Sequence, residues 1–462
     1  MPKRTPTRRD LVRLACGGVL LGGVERRLEA QRSSYAVAVA SNQTDAYAAT
    51  QRTLNYLLPL GQFPNVAGRP VVIKPSLVLA EPSSTGTTTD PKAVQAVVDQ
   101  CIAGGATNIY IVEGGQMGPS TGQPVAPGWA VCGYTDIFTP TAYPQVQLVW
   151  VDPVPSNPGA PPIQLAPVTN HFVYSQIYLS AVLLTGDPVF ISVAKLKTHV
   201  WTGVTLSCKN TFGLYEPSIY FVPSGLARGI VHQLSCNQCI VDMLLARPVD
   251  FAVIEGIVGM EGNGPLRGTP INSGVVIAGR NPVAADRYAV SMMGLFNNPS
   301  LPGFRVAHLD FAFSKNLGPG PAQMSQIQNV GDSWSPLNFV PPELMWPYLF
   351  WPQLSPGTIS LSQHQITSIS IKIPQGQPAA DVRLTVIQND EVSPTPPSTI
   401  KTLMNWTVVT PGILSSTWDG TDDSGATVAP GTYLVQITGR KNPNDPSAGH
   451  WNHGATPIVV TA

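Results

Sequence analysis

The sequence predicts an α/β domain, a mainly parallel sheet with flanking helices, followed by a small all-β sandwich. Three observations carry this. From residue 35, short apolar runs alternate with segments whose apolar residues recur at helical spacing. Runs such as "PVVIK" and "PVFISVA" are apolar almost throughout, as strands covered on both faces are. After residue 358 the helical period disappears, and short alternating runs are separated by Gly, Pro, Asp and Asn.

In chain order, "YAVAVA" reads as a strand and "DAYAATQRTLNYLLPL" as a helix. "PVVIK" is a strand. The helix in "DPKAVQAVVDQCIAGGA" opens with Asp90 as cap and Pro91 at its first position, and stops at Gly104-Gly105. "NIYIVEGG" is the next strand. A Pro-rich stretch, 152–167, interrupts the alternation, which resumes with "PVFISVA" as strand and "QLSCNQCIVDMLLA" as helix. "DFAVIEGIVG" and "SGVVIAG" are strands. "NPVAADRYAVSMMGL" is a helix that again starts with a cap and a proline, Asn281-Pro282. The domain plan is an export segment over 1–30, the α/β domain over 35–332, a Pro- and aromatic-rich linker over 333–357 and the sandwich over 358–462.

Composition removes several classes of function. With 27 basic and 27 acidic side chains the net charge is zero, and no field favours nucleic acid. The 46 prolines and 42 glycines imply many turns, yet 43% hydrophobic content is that of a folded chain. The N-terminus places Arg8-Arg9 ahead of a mild apolar segment, Leu14 to Val24, too short to span a bilayer. It resembles a twin-arginine export signal, which implies a periplasmic or extracellular protein without a mature membrane span. A cytoplasmic basic tail is the competing reading. Beyond this segment lie Cys101, Cys132, Cys208, Cys236 and Cys239; an odd number cannot be fully paired within one chain.

The chemistry concentrates in "KLKTHVWTGVTLSCKNTFGL", Lys195 to Leu214, in a chain that is only 12% charged. In an open parallel sheet, ligands bind outside the carboxyl ends of the strands. Lys74 closes one strand, Glu113 another, Lys195 and Lys197 follow a third, and Glu255 and Glu261 a fourth. Lysines gathered there suit an anion, a phosphate or carboxylate, with Thr198, Thr205, Ser207 and Asn210 as further donors. Lys197, His199 and Lys209 are the catalytic candidates, since a lysine desolvated among cations can act as base or nucleophile. Lys74, Lys195, Thr198, Thr205, Asn210 and Glu113 are the binding candidates. Glu261 and Asp286, with Glu113 and His199, are candidates for a divalent metal, although their spacing fits no standard metal motif. The competing reading is a solvated loop whose lysines pair with nearby acids. "GMEGNGP", Gly259 to Pro265, reads as a Gly-rich loop without the phosphate-loop or dinucleotide pattern. His232, Asp242 and the "CNQC" pair read more readily as structural, the pair as core packing or a local disulfide with redox chemistry as the alternative.

The motifs "VVIKPSLV", "TTTDPKAVQAVV", "IYIVEGG", "GDPVFISVAKLKTHVWTGVTLSCKNTFGL", "HQLSCNQCIVDM" and "GIVGMEGNGPLRGTPINSGVVIAGRNPVAADRYAVSMMG" occur in this order over 35–332. Together they resemble the family called domain of unknown function 362. The resemblance implies an α/β fold and no particular reaction. Ser76 and Glu255 stand where that family usually has Asn and Asp. Many relatives add repeated Cys-x-x-Cys for iron–sulfur clusters. A single "CNQC" cannot supply four thiolates, so no cluster is expected. The tail "STWDGTDDSGATVAPGTYLVQITG" resembles the immunoglobulin-like module of the flagellar hook-capping family, with Trp418 and Tyr433 packing between sheets. The expectation is an exported enzyme acting on an anionic small molecule in a Lys/His-rich pocket, with or without a metal. Its tail would meet a cell surface or a protein partner. The alternative is a non-catalytic extracytoplasmic binding or docking protein.

Overall fold

The computed structural model describes residues 27, 29, 35–117, 124–220, 228–296, 304–342, 351–373, 380–388, 398–440 and 452–462. Apart from Arg27 and Glu29, the expected export segment lies outside the described residues.

The α/β unit contains β1 (Ala36–Ala40), α1 (Ala46–Leu57), β2 (Val71–Pro75), α2 (Pro91–Ala103), β3 (Ile109–Glu113), β4 (Val146–Trp150) and β5 (Val189–His199). Then come β6 (Gly203–Val204), α3 (Leu206–Asn210), α4 (Gly229–Ala246), β7 (Phe251–Asn263), β8 (Arg267–Gly279), α5 (Pro282–Met292), α6 (Ala307–Ser314) and β9 (Gln328–Asn329). Their caps follow local chemistry. The side chains of Asp45, Asp90 and Asn281 accept from the backbone N–H of Ala48, Lys92 and Ala284 at 2.8–2.9 Å. Pro91 and Pro282 take first-turn positions where a missing N–H costs nothing.

The main sheet runs β9-β1-β8-β7-β5-β2-β3-β4, with β6 paired to β5. Strands β7, β5, β2, β3 and β4 are mutually parallel, while β8 is antiparallel to both neighbours. Side-chain alternation splits the strands between two cores. Val71, Ile73, Phe251 and Val253 pack with Leu54, Leu57, Val94 and Val97 of α1 and α2. Val72, Ala252 and Ile254 pack on the other face with Ile240, Val241, Val290 and Leu309 of α4, α5 and α6. The result is three layers with a doubly covered sheet.

Two stretches differ from expectation. "GMEGNGP" is strand as far as Asn263, because β7 and β8 pair beyond the sheet into a long hairpin, Asn263 opposite Arg267. The proposed linker is partly docked: Leu337 and Phe339 donate backbone N–H to Met292 and Met293, and Phe339 is buried.

The C-terminal part has a three-stranded sheet of β10 (Gln353–Ser355), β12 (Thr367–Ile373) and β15 (Gly412–Trp418). A five-stranded sheet contains β11 (Thr358–Ser360), β17 (Asn452–Thr461), β16 (Gly431–Arg440), β13 (Ala380–Gln388) and β14 (Thr399–Val409), in that order. The two share one apolar core, in which the rings of Trp418 and Tyr433 meet edge to face at 5.7 Å. This part is fastened to α4. The buried Gln238 amide donates to Ala455 O at 2.6 Å and accepts from Ala455 N at 2.8 Å. Gln436 donates to Leu234 O at 2.6 Å, next to Ser235, where the helix breaks with φ −168° and ψ 89°. No helix among the described residues is long and apolar enough to cross a membrane.

Gln238→Ala strips both hydrogen bonds from the backbone of Ala455 in a dry junction. It is expected to cost about 2 kcal/mol or more. Chemical denaturation measures this, and an unchanged midpoint would show that the junction adds nothing to stability.

Candidate functional site

The lysine-rich segment is not a loop after a short strand. Strand β5 continues through Lys195, Lys197 and His199, and all of its residues are buried. Their spacing of two places the three side chains on one face. A turn at 200–202 leads into β6, which folds back so that Gly203 lies opposite His199 and Val204 opposite Thr198. The N–H of Thr205 then donates to Lys197 O at 3.0 Å. Short helix α3 follows. Asp286 on α5 accepts from the backbone N–H of Ser207 and Cys208, both at 2.8 Å, and so fixes the start of α3. This returns Asn210 to the end of β2 and to the first half of β5. Asn210 Nδ2 donates to Lys74 O at 2.9 Å and to Ser192 Oγ at 3.0 Å.

A cavity of about 600 Å³ opens at this rim. Lys74, Glu113, Lys197, His199, Thr205, Lys209 and Asn210 all line it. Lys195 and Thr198 do not. Lys195 pairs with Glu255 at 2.6 Å, both fully buried, and Thr198 Oγ1 donates to Gly262 O at 2.7 Å. Glu261 lies apart, accepting from Val340 N at 2.7 Å, and Asp286 is occupied by α3. Among the described residues, no group of three or more His, Cys, Asp or Glu is placed to hold a metal ion.

Several wall residues were not singled out by the sequence reading as binders, among them Trp201, Phe212, Arg228, His232 and Arg267. Arg228 donates to Tyr215 O at 2.7 Å and pairs with Asp152 at 3.1 Å. Its backbone is left-handed, φ 60°, just ahead of α4. Long-range packing decides that placement, and no local pattern announces it. His232 could have been found from its position one turn into a helix beside the conspicuous segment. Its ring meets Phe212 at 4.6 Å and Trp201 at 4.9 Å, both edge to face.

The lysines differ in how their charge is compensated. Lys74 pairs with Glu113 at 2.6 Å, while burial lowers its pKa and Glu113 opposes that shift. Among the described residues Lys197 has no carboxylate partner, and its Nζ donates to Thr87 O at 2.6 Å. Burial first, then the nearby charges of Lys195 and Lys209, pull it down from 10.5 to about 7. Lys209 lies over the ring of Phe212 at 4.2 Å, and no hydrogen-bond or ion-pair partner meets its ammonium among the described residues. Burial lowers its pKa as well. Thr205 Oγ1 is also buried without a hydrogen-bond partner among the described residues.

Both wall histidines are neutral at physiological pH. Burial, reinforced by Lys209, holds His199 well below 6.5 and His232 near about 3. His199 Nδ1 accepts from Trp201 N at 3.0 Å, so the ring proton sits on Nε2. His232 Nδ1 faces the carbonyl of Arg228 at 3.0 Å and carries the proton, leaving Nε2 as an acceptor. Cys236 and Cys239 are free and buried in α4, and burial raises both thiols above the ordinary range.

The geometry defines an α/β protein with a cation-rich, partly aromatic cavity at the carboxyl ends of its parallel strands. Residues 71–291, a little under half of the chain, match the model of the family described as Domain of unknown function (DUF362). The match runs from β2 into α5 and takes in the whole cavity wall. Strands β1 and β9 lie outside it, yet belong to the same sheet. The chain is 26% identical over 121 residues to the thylakoid-associated protein sll1697 of Synechocystis, an alignment covering 26% of this chain and 36% of that relative. Among solved structures, a domain of the outer membrane lipoprotein Omp28 from Porphyromonas gingivalis aligns at TM-score 0.17 and 12% identity, over 21% of this chain and 81% of that one. The alkylpurine DNA glycosylase AlkC of Pseudomonas fluorescens aligns at 0.16 and 12%, over 24% and 29%. Likeness at that level carries no argument.

Two consequences can be measured. A Cβ at Gly114 would stand 2.1 Å from Arg228 Nη2 and 2.3 Å from Gly213 O. Gly114→Ala should therefore cost about 1–3 kcal/mol and displace Arg228; wild-type stability would contradict the close packing. The depressed Lys197 means that between about pH 7 and 10.5 the unfolded chain binds a proton the folded chain lacks. This group makes stability rise with pH through that window, by up to about 1.4 kcal/mol per unit, and contributes no slope below it. Lys197→Met should flatten the rise relative to wild type. Parallel stability curves for the two proteins would refute the assignment.

Proposed function

We propose that this chain is an exported enzyme whose cavity binds an anionic small molecule, with Lys209 and Thr205 as anion contacts and Lys197 as the reacting base or nucleophile. One observation carries the reading: Lys209 is buried on the cavity wall without a counter-charge among the described residues. A buried ammonium left unpaired is costly, and a ligand carboxylate or phosphate would remove that cost. Glu113 does not supply it, because its Oε1 pairs with Lys74 and its Oε2 accepts from Leu77 N at 2.9 Å.

Lys197 supports catalysis over passive binding. An amine that is substantially neutral near pH 7 can accept a proton or attack an electrophile, whereas simple anion binding is served best by a fully charged lysine. Export follows from the twin-arginine-like residues 1–30. The C-terminal part is assigned an immunoglobulin-like role of the hook-capping type, from the Trp418 to Tyr433 pattern and the paired sheets that bury both rings. It is also proposed to carry any contact with a surface or protein partner.

Calorimetric titration of the full chain with inorganic phosphate and with acetate tests the anion site. Saturable binding is expected, weakened at least tenfold in Lys209→Met with the fold intact by circular dichroism. Equal affinity in wild type and variant would sink the role of Lys209, and no binding of either anion to wild type would sink the site.

A further inference from the structure

Lys195 and Lys197 sit two residues apart on the same face of β5, yet they are built into different surroundings. Lys195 is neutralised by Glu255 and also reaches Ser83 O at 3.4 Å. Lys197 reaches the cavity, meets one backbone carbonyl and has no carboxylate within ion-pair distance among the described residues. The acids of the rim are committed elsewhere, Glu113 to Lys74 and Glu255 to Lys195. The two histidines of the wall are too weakly basic to compete with an amine for a proton or an electrophile. The strongest nucleophile in the cavity is therefore an amine, and it shares the wall with Lys209, a cation free to hold a carboxylate.

We infer that Lys197 attacks the carbonyl carbon of a small oxo acid, whose carboxylate Lys209 holds, and carries it as an imine. This rests on the anion-binding reading above and narrows its substrate class. The step balances without an oxidant or a reductant. The amine lone pair forms the C–N bond, the carbonyl C–O bond breaks, and the oxygen leaves as water with the two amine hydrogens. A proton taken up from solvent makes the iminium, which can accept electrons from a neighbouring bond. A depressed amine pKa, here about 7, keeps nucleophile available at neutral pH. Placing a second cation nearby is the way such depression is combined with recognition of an anionic substrate.

The test is reductive trapping on the full chain. The protein is incubated with pyruvate or with acetoacetate, reduced with sodium borohydride, and read by intact mass and peptide mapping. Expected is one adduct on the peptide containing Lys197, formed faster as pH rises through 7, suppressed by excess phosphate and absent from folded Lys197→Arg. Mapping of the wild-type adduct locates the lysine even if that variant fails to fold. An adduct on Lys74 or Lys209 overturns the assignment to Lys197. No adduct with either oxo acid, while Lys209-dependent phosphate binding persists, overturns the imine and leaves the anion site standing. No anion binding at all overturns both.

Discussion

An ammonium group taken out of water must find a carboxylate, find polar partners or give up its proton, and the rim of this sheet holds all three outcomes side by side. Parallel register supplies the first. Glu255 on β7 lies directly opposite Lys195 on β5, and Glu113 closes β3 beside Lys74 at the end of β2. These acids do more than balance charge. Glu255 accepts from Asp90 N at 3.0 Å and Ile257 N at 2.8 Å, and Glu113 accepts from Leu77 N and Gly114 N. Each ion pair thus also anchors the chain that leaves its strand, and the loops around the cavity take their positions from it. Lys197 lies one step beyond the last paired acid and Lys209 comes in from α3. The register sets Met260 opposite Lys197, and among the described residues neither lysine meets a carboxylate.

The cavity needs walls from elements that the parallel strands do not provide. The hairpin of β7 and β8 extends past the sheet and leans on β5, where Val200 N donates to Gly264 O at 2.9 Å. A Cβ at Gly264 would fall 2.2 Å from Thr198 O, so only glycine allows this approach. Helix α4 contributes His232 at one end and meets the C-terminal sheets further along, through Leu234 and Gln238. The C-terminal part is therefore fastened to the helix that carries part of the cavity wall. Its contacts fall beside Ser235, where the helix geometry breaks.

Such an arrangement lets a chain with little charge gather lysines and an arginine on one cavity wall while much of their charge is compensated, leaving Lys209 as the exception to that balance among the described residues. Among the described residues, Glu113 and Glu255 are engaged with lysines, Asp152 with Arg228 and Asp286 with α3. An incoming anion would meet Lys209 and the hydroxyl of Thr205 without displacing an internal partner. The rings of Trp201, Phe212 and His232 pack together on one side, and a charge contact made against such a low-dielectric surface is stronger than one in water.

The sequence alone determined the local elements. The caps at Asp90 and Asn281 were legible because a short polar side chain before a proline satisfies backbone N–H groups wherever it occurs. The buried strands were legible because doubly covered positions must be apolar, and "KLKTHVWTGVTLSCKN" stood out because lysines are expensive in an apolar setting. Only the tertiary structure decided the rest. It carried β5 on to His199, since pairing with β7 and β6 overrides the polarity of those residues. It made strand of the Gly-rich stretch, because β8 supplies hydrogen-bond partners that no local pattern shows. It also sorted lysines of one chemistry into Lys74 and Lys195, which pair with acids, and Lys197 and Lys209, which meet no carboxylate among the described residues. Charge compensation depends on which carboxylate the neighbouring strand presents, and that is a matter of register between segments up to about sixty residues apart.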